Sequence, residues 1–150
     1  MSGPSYARCM PPKPPSYDGA VAALLAQVPG SAAVPGDVEA VLWQLVEAVS
    51  AAADPEREGL KLASRHLAQT LADRHPGRSV EVRVPPYAAV QCLAGVRHTR
   101  GTPPATVEVE PVAFVQLCTG RLAWADAVRD GRVRASGERS DLSPLLPLVP

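Results

Sequence analysis

Arg97, His98 and Arg100, followed by Gly101 and Thr102, form the one polar cluster in the chain with side chains suited to chemistry. Two guanidinium groups and an imidazole this close together fit a seat for an anion such as a carboxylate or phosphate. The same stretch, RHTRGTPP, also reads as a solvated connection between two strands. His66 and His75 lie on or near the end of a helix and lack the paired spacing of zinc ligands, so capping or surface exposure accounts for them. The three cysteines, Cys9, Cys92 and Cys118, are odd in number and show no CxxC spacing. They read as free thiols of a reducing compartment, with Cys92 and Cys118 acting as buried small hydrophobes. The sequence has no GxSxG, HExxH, Walker or GxGxxG motif, and nothing in it places a Ser, a His and an Asp together. No catalytic residue, metal ligand or cofactor is therefore assigned.

A chain of 150 residues is long enough for one domain with a real core. Zero formal net charge and a pI near 6.8 argue against a nucleic-acid partner. Apolar residues make up 46 % of the sequence but aromatic ones only 4 %, so the core must be built from Val, Leu and Ala. No apolar run approaches the ~18 residues that would span a membrane. The run from Ala20 to Ala26 follows Asp18 and a Pro-rich stretch rather than a basic segment, so it reads as a helix and not a signal peptide. The expectation is a soluble cytoplasmic protein.

Residues 1–17, MSGPSYARCMPPKPPSY, read as a flexible tail, because Pro lacks an N–H and restricts the residue before it. A ligand for a Pro-binding module is the alternative. Residues 18–150 read as a single domain, helical over 18–77 and built of sheet and covering helices over 78–150. A short helix is predicted over 18–28, closed by Pro29 and Gly30. Asp37 then caps a stronger helix, in which Val38, Val41, Leu42, Leu45, Val46 and Val49 form one apolar stripe. Asp54 and Pro55 suit the cap and first position of the next helix, whose inner face carries Leu60, Ala63, Leu67 and Leu71. His75-Pro76-Gly77 ends it, and the tight break predicts an antiparallel helix pair.

At Ser79 the period changes from helical to two. Val80, Val82 and Val84 point one way, and Glu81 and Arg83 the other. The parity continues through Ala88, Val90 and Cys92. Tight two-residue hairpins need positive φ, which Pro cannot supply, so one long strand bent at Pro85-Pro86 is predicted, at a sheet edge there. ATVEVE, residues 105–110, is the next strand, with Val107 and Val109 inward. Pro111 opens a helix carrying Phe114, Leu117 and Cys118 and stopped by Gly120. In GRLAWADAVRDGRVRASG, Leu122, Trp124, Ala127 and Val128 can share one face of a second short helix, stopped by Gly131. Val133 and Ala135 then point inward from a last strand. Two short helices between two strands must cross one face of the sheet, and the apolar end SDLSPLLPLVP is expected to dock there.

VQLCTGRLAWADAVRDGRVRASG with its leucine-rich end resembles the C-terminal half of sterol carrier protein type 2 domains. The matching features are Leu117, Thr119 and Gly120 at a helix-ending turn, Gly131 before a basic strand with Val133, Gly137 after it, and Leu142 to Leu148 as the closing segment, a final apolar helix in that family. RSVEVRVPPYAAVQC, RHTRGTPP and GRVRASGERSDLSPLLPL resemble a bacterial subfamily common in actinobacteria. The resemblance covers roughly residues 78–150 well and the two preceding helices loosely. It does not reach the Pro-rich tail.

This resemblance implies an α/β (α+β) fold, a mostly antiparallel sheet covered on one face by helices, with an apolar tunnel between the layers. The Val- and Ala-rich core would leave such a tunnel or let the helices settle closer. Related carriers bind acyl chains, sterols or fatty acyl-CoA. By carry-over, Phe114, Leu117, Leu122, Trp124 and Val128 would roof the cavity. Val90, Val107, Val109 and Val133 would floor it, and Leu142, Leu145 and Leu146 would close its mouth. Trp124 reads as a ligand wall or as an anchor locking its helix to the sheet. Arg97, His98 and Arg100 would seat the anionic headgroup. The implied function is a small intracellular carrier of an apolar or acyl ligand, without a cofactor or a covalent step. The alternative is a ligand-free interaction or regulatory module, since related domains occur fused to enzymes such as mycothiol-dependent isomerases. No protein partner is assigned.

Overall fold

Helix α1, Val38–Ala51, buries Leu42, Leu45, Val46 and Val49 in a computed structural model that describes residues 38–95 and 105–149. The Pro-rich tail, the helix expected over 18–28 and the RHTRGTPP stretch lie outside the described residues. Val38, at the start of the predicted stripe, is 41 % exposed. Helix α2, Arg57–Arg74, buries Leu60, Ala63, Leu67 and Leu71 on the predicted face. It starts later than Asp54-Pro55 suggested. Glu56 is the cap, in extended backbone, and its carboxylate accepts the Gly59 N–H at 3.2 Å. Asp54 is exposed and two residues too early to reach that donor. Val49 approaches Gly59, and Trp43 approaches His66. Position therefore rises along α1 as it falls along α2, and the pair is antiparallel.

Four strands follow: β1, Val80–Val84; β2, Ala88–Cys92; β3, Ala105–Val109; and β4, Val133–Ser136. They form one sheet in the order β2-β1-β3-β4. The outer pairs are antiparallel, and the central pair β1/β3 is parallel. Val80, Val82, Val84, Cys92, Val107, Val109 and Val133 are buried on one face, which the helices cover. The other face carries Arg83, Gln91, Arg134 and Ser136 in water. Period-two alternation with a single helical layer gives this division. Ala135 departs from expectation: it is exposed, because β4 is an edge strand whose burial stops at Val133.

The Pro85-Pro86 prediction is also corrected. β1 and β2 are separate strands that pair as a hairpin, with Val84 opposite Ala88 and Val80 opposite Cys92. The peptide bond between the prolines is cis, and Tyr87 N–H donates to Val84 O at 2.8 Å. This turn type reverses the chain with proline at its third position and needs no positive φ. Alternation could not separate the two cases, since partners in this register have the same parity.

Leu93 N–H donates to His75 O at 2.8 Å, Ser79 N–H to Leu93 O at 3.1 Å, and Ala105 N–H to Ser79 O at 3.2 Å. These bonds tie the end of β2 and the start of β3 to the residue before β1, and β3 lies parallel to β1. Helices α3, Pro111–Cys118, and α4, Trp124–Arg129, connect β3 to β4. Pro111 is the first residue of α3, as predicted. Both helices end alike. Gly120 (φ 74°) and Gly131 (φ 72°) turn left-handed, and the next N–H reaches back into the helix, Arg121 to Gln116 O at 2.8 Å and Arg132 to Ala127 O at 2.9 Å. This paired closure leaves three residues between α4 and β4.

The closing segment is a single 3₁₀ turn, Ser143–Leu145, not the helix the resemblance implied. Leu146 is extended and Pro147 has no N–H to continue a helix. Leu142 and Leu148 are buried nonetheless, and Leu148 N–H donates to Cys118 O at 2.8 Å. Among the described residues no helix is long and apolar enough to cross a membrane.

Candidate functional site

The inner layer is the surface the fold organises most fully. β3 and β4 supply Val107, Val109 and Val133, α3 supplies Phe114 and Leu117, and the closing segment supplies Leu142. All six are buried within one contiguous cluster, at 3 % exposure or less. Such low exposure packs these side chains against other protein atoms. Val90, Leu122, Trp124, Leu145 and Leu146 are half-buried against the same cluster. They form a softer set around a closed interior. Val128 stands apart: at 43 % exposure it faces solvent, while Ala127 turns into the core.

Among the described residues the buried polar side chains are Ser50, Ser64 and Ser79, and no buried residue carries a charge. The layer can therefore exclude water, but it offers no acid or base. Cys92 and Cys118 are buried free thiols, as expected. Burial pushes both thiols up from their ordinary range, the Cys118 thiol furthest, so neither supplies a thiolate nucleophile near neutral pH.

Arg97, His98 and Arg100 lie outside the described residues. Before that stretch, Arg139 Nη1 donates to Ala94 O at 2.8 Å, and Arg78 Nε donates to Gln91 Oε1 at 3.1 Å. His75 is the C-terminal cap of α2, in keeping with the capping expectation. His66 is different. Capping or surface exposure is the expectation for it, yet its ring packs edge-on against Trp43, with centroids 5.1 Å apart. Its pKa is lowered, chiefly by burial; Glu39 opposes this, and Arg74 adds a smaller lowering. Sequence reasoning missed this group. Trp43 sits beside the apolar stripe of α1, while His66 and Arg74 lie off the stripe of α2. Their eight-residue separation, two turns on one side of the helix, was the available signal.

Residues 56–148 match a family model described as a bacterial SCP ortholog. The chain belongs to this bacterial sterol carrier protein family. A search of curated proteins finds no match. The family match takes in α2, the sheet, α3, α4 and the closing segment up to Leu148. Every lining position named above falls inside it, as do Arg97, His98 and Arg100. Helix α1, with Trp43, precedes the matched span. In this family member α1 is joined to the rest by Arg121, which donates through Nε to Ser50 Oγ at 2.9 Å and pairs with Glu47.

Proposed function

We propose that this chain is a small non-catalytic carrier that takes up an acyl chain or sterol between its sheet and its helical layer. Family membership carries the reading, and the predominantly apolar inner layer supports it. Transfer from water into such a layer is worth roughly 0.8 kcal/mol per buried CH₂, so affinity scales with chain length and no covalent step is required. Because these side chains are buried against one another, uptake would proceed by parting the layers. The half-buried side chains Leu122, Trp124, Leu145 and Leu146 are the ones that give way first. Phe114, Leu117, Val107, Val109, Val133 and Leu142 then line the opened space, with Val90 at its margin and Val128 at its outer side. Arg97, His98 and Arg100 serve as the seat for an anionic headgroup.

The closed packing favours one other reading, a ligand-free interaction module on the same fold. Native mass spectrometry of protein purified from its own host separates the two. A copurified lipid, together with a Trp124 emission shift in a Trp43→Phe variant on adding a fatty acid, supports the carrier. A clean apo mass and no response to a panel of fatty acids and sterols refute it. For the headgroup seat, Arg97→Ala with Arg100→Ala weakens binding of an anionic lipid and leaves its neutral analogue nearly unaffected. Equal effects on both remove the seat.

A further inference from the structure

The last described residues are held from two sides, by Arg74 of α2 and by Cys118 at the end of α3. Leu148 is 1 % exposed. Its carbonyl accepts a hydrogen bond from Arg74 Nη1. Its own N–H and that of Val149 both donate to Cys118 O, at 2.8 and 3.3 Å. The Arg74 guanidinium carbon lies 5.9 Å from the centre of the Trp43 ring, so one cation ties the closing segment to α1. Trp43 is steadied by its indole N–H, which donates to Glu39 Oε1 at 3.0 Å. Against the same indole rests the His66 ring, at 81° to it. Thr70 stands between His66 and Arg74 on α2, its hydroxyl donating to His66 O at 2.9 Å.

His66 Nε2 is fully buried and has no hydrogen-bond partner. A neutral imidazole accommodates this by keeping its proton on Nδ1. An imidazolium cannot, because both nitrogens become donors and the one at Nε2 finds no acceptor. The charged groups acting on the ring are Glu39 on α1, which favours the proton, and Arg74 on α2, which opposes it. β2, α3 and residues 142–149 carry no charged side chain to offset either. A protonated His66 and Arg74 would press two positive charges toward one indole.

We propose that His66 is the proton-sensitive element of a clasp: when its ring takes up a proton, the Trp43–Arg74 contact loosens and the closing segment undocks at Leu148. The sign follows from linkage. His66 is held below its ordinary pKa in the docked state, chiefly by burial. The neutral ring, and with it docking, is favoured in full above its ordinary value, about 6.5, and docking is lost as pH falls below that value. Nothing in the clasp requires a ligand, so it stands apart from the carrier reading.

Amide hydrogen exchange of the full chain at pH 7.5 and 5.0, corrected for intrinsic rates, tests it. Protection at Leu148 and Val149 is expected to fall at pH 5.0 by up to about thirty-fold, the limit for an undocked His66 with its ordinary pKa. Protection at Val82 in β1 is expected to hold. His66→Gln should abolish the difference at the closing segment. Arg74→Gln should raise the His66 pKa measured by NMR toward its ordinary value. Equal protection at both pH values, an unchanged pH effect in His66→Gln, or a parallel loss at Val82 overturns the clasp. If His66→Gln does not fold, the wild-type NMR titration decides. Coincident midpoints for the His66 ring and the Leu148 and Val149 amides uphold the clasp, and separate midpoints refute it.

Discussion

Phe114→Ala tests whether the inner layer is solid. The ring is 2 % exposed, on a helix of only eight residues that also buries Ala113, Val115, Leu117 and Cys118. Removing a buried phenyl from a packed core costs ~3–5 kcal/mol, from lost transfer energy and the cavity left behind. Domains of this size are stable by ~5–15 kcal/mol, so the loss takes a third or more of the total in most of that range. At a urea slope of about 2 kcal/mol/M the unfolding midpoint should drop by ~2 M, read by tryptophan emission, with the slope unchanged. A cost below about 1.5 kcal/mol with an unchanged slope would refute the reasoning, because the ring would then border open space and have little packing to lose. The same variant probes uptake. An acyl ligand that occupies the vacated volume at a hundred times its Kd should restore ~2.7 kcal/mol.

Gly131→Ala should lower stability by ~1–2 kcal/mol in a thermal melt, since φ is 72° and nothing lies within 4 Å of an added Cβ, leaving backbone conformation as the whole cost. Glu56→Ala should cost ~0.5–2 kcal/mol through loss of the α2 cap, whereas Asp54→Ala should be close to neutral; the reverse order in urea titrations would return the cap to Asp54. Cys92 and Cys118 should resist maleimide in the native protein at pH 7.5 and react in urea, and rapid native labelling of either would contradict its burial.

The parts of the fold legible in the sequence were those where one local rule decides. Val80, Val82 and Val84 announced a half-buried strand, Pro111 a helix start, and Gly120 and Gly131 two helix stops, because each depends on period or on backbone freedom at a single residue. The hairpin at Pro85-Pro86 was not legible, because its register preserves the parity of an unbroken strand. The α2 cap was misplaced by two residues, because Asp54-Pro55 and Glu56 both satisfy local capping chemistry and packing of α2 on α1 settles the choice. Val128 and Ala127 are adjacent on α4, and only the angle at which that helix meets β4 turns one inward and the other out. The inner-layer positions were legible as core. The Trp43–His66–Arg74 group was not, since it exists only once two helices are laid together.

Gly95 and Ala105, the described residues that flank positions 96–104, both meet the fold at Ser79. Ser79 accepts the Ala105 N–H, gives its own N–H and its hydroxyl to Leu93 O, and lies so close to Gly95 that an added Cβ there would sit 2.6 Å from the serine's own. The sheet therefore brings the two ends together whatever runs between them. A loop closed in this way is nearly indifferent to its length, each doubling costing only ~0.6 kcal/mol. The position acts as a socket: replacing residues 96–104 with a reporter peptide should leave β1 in register on β3.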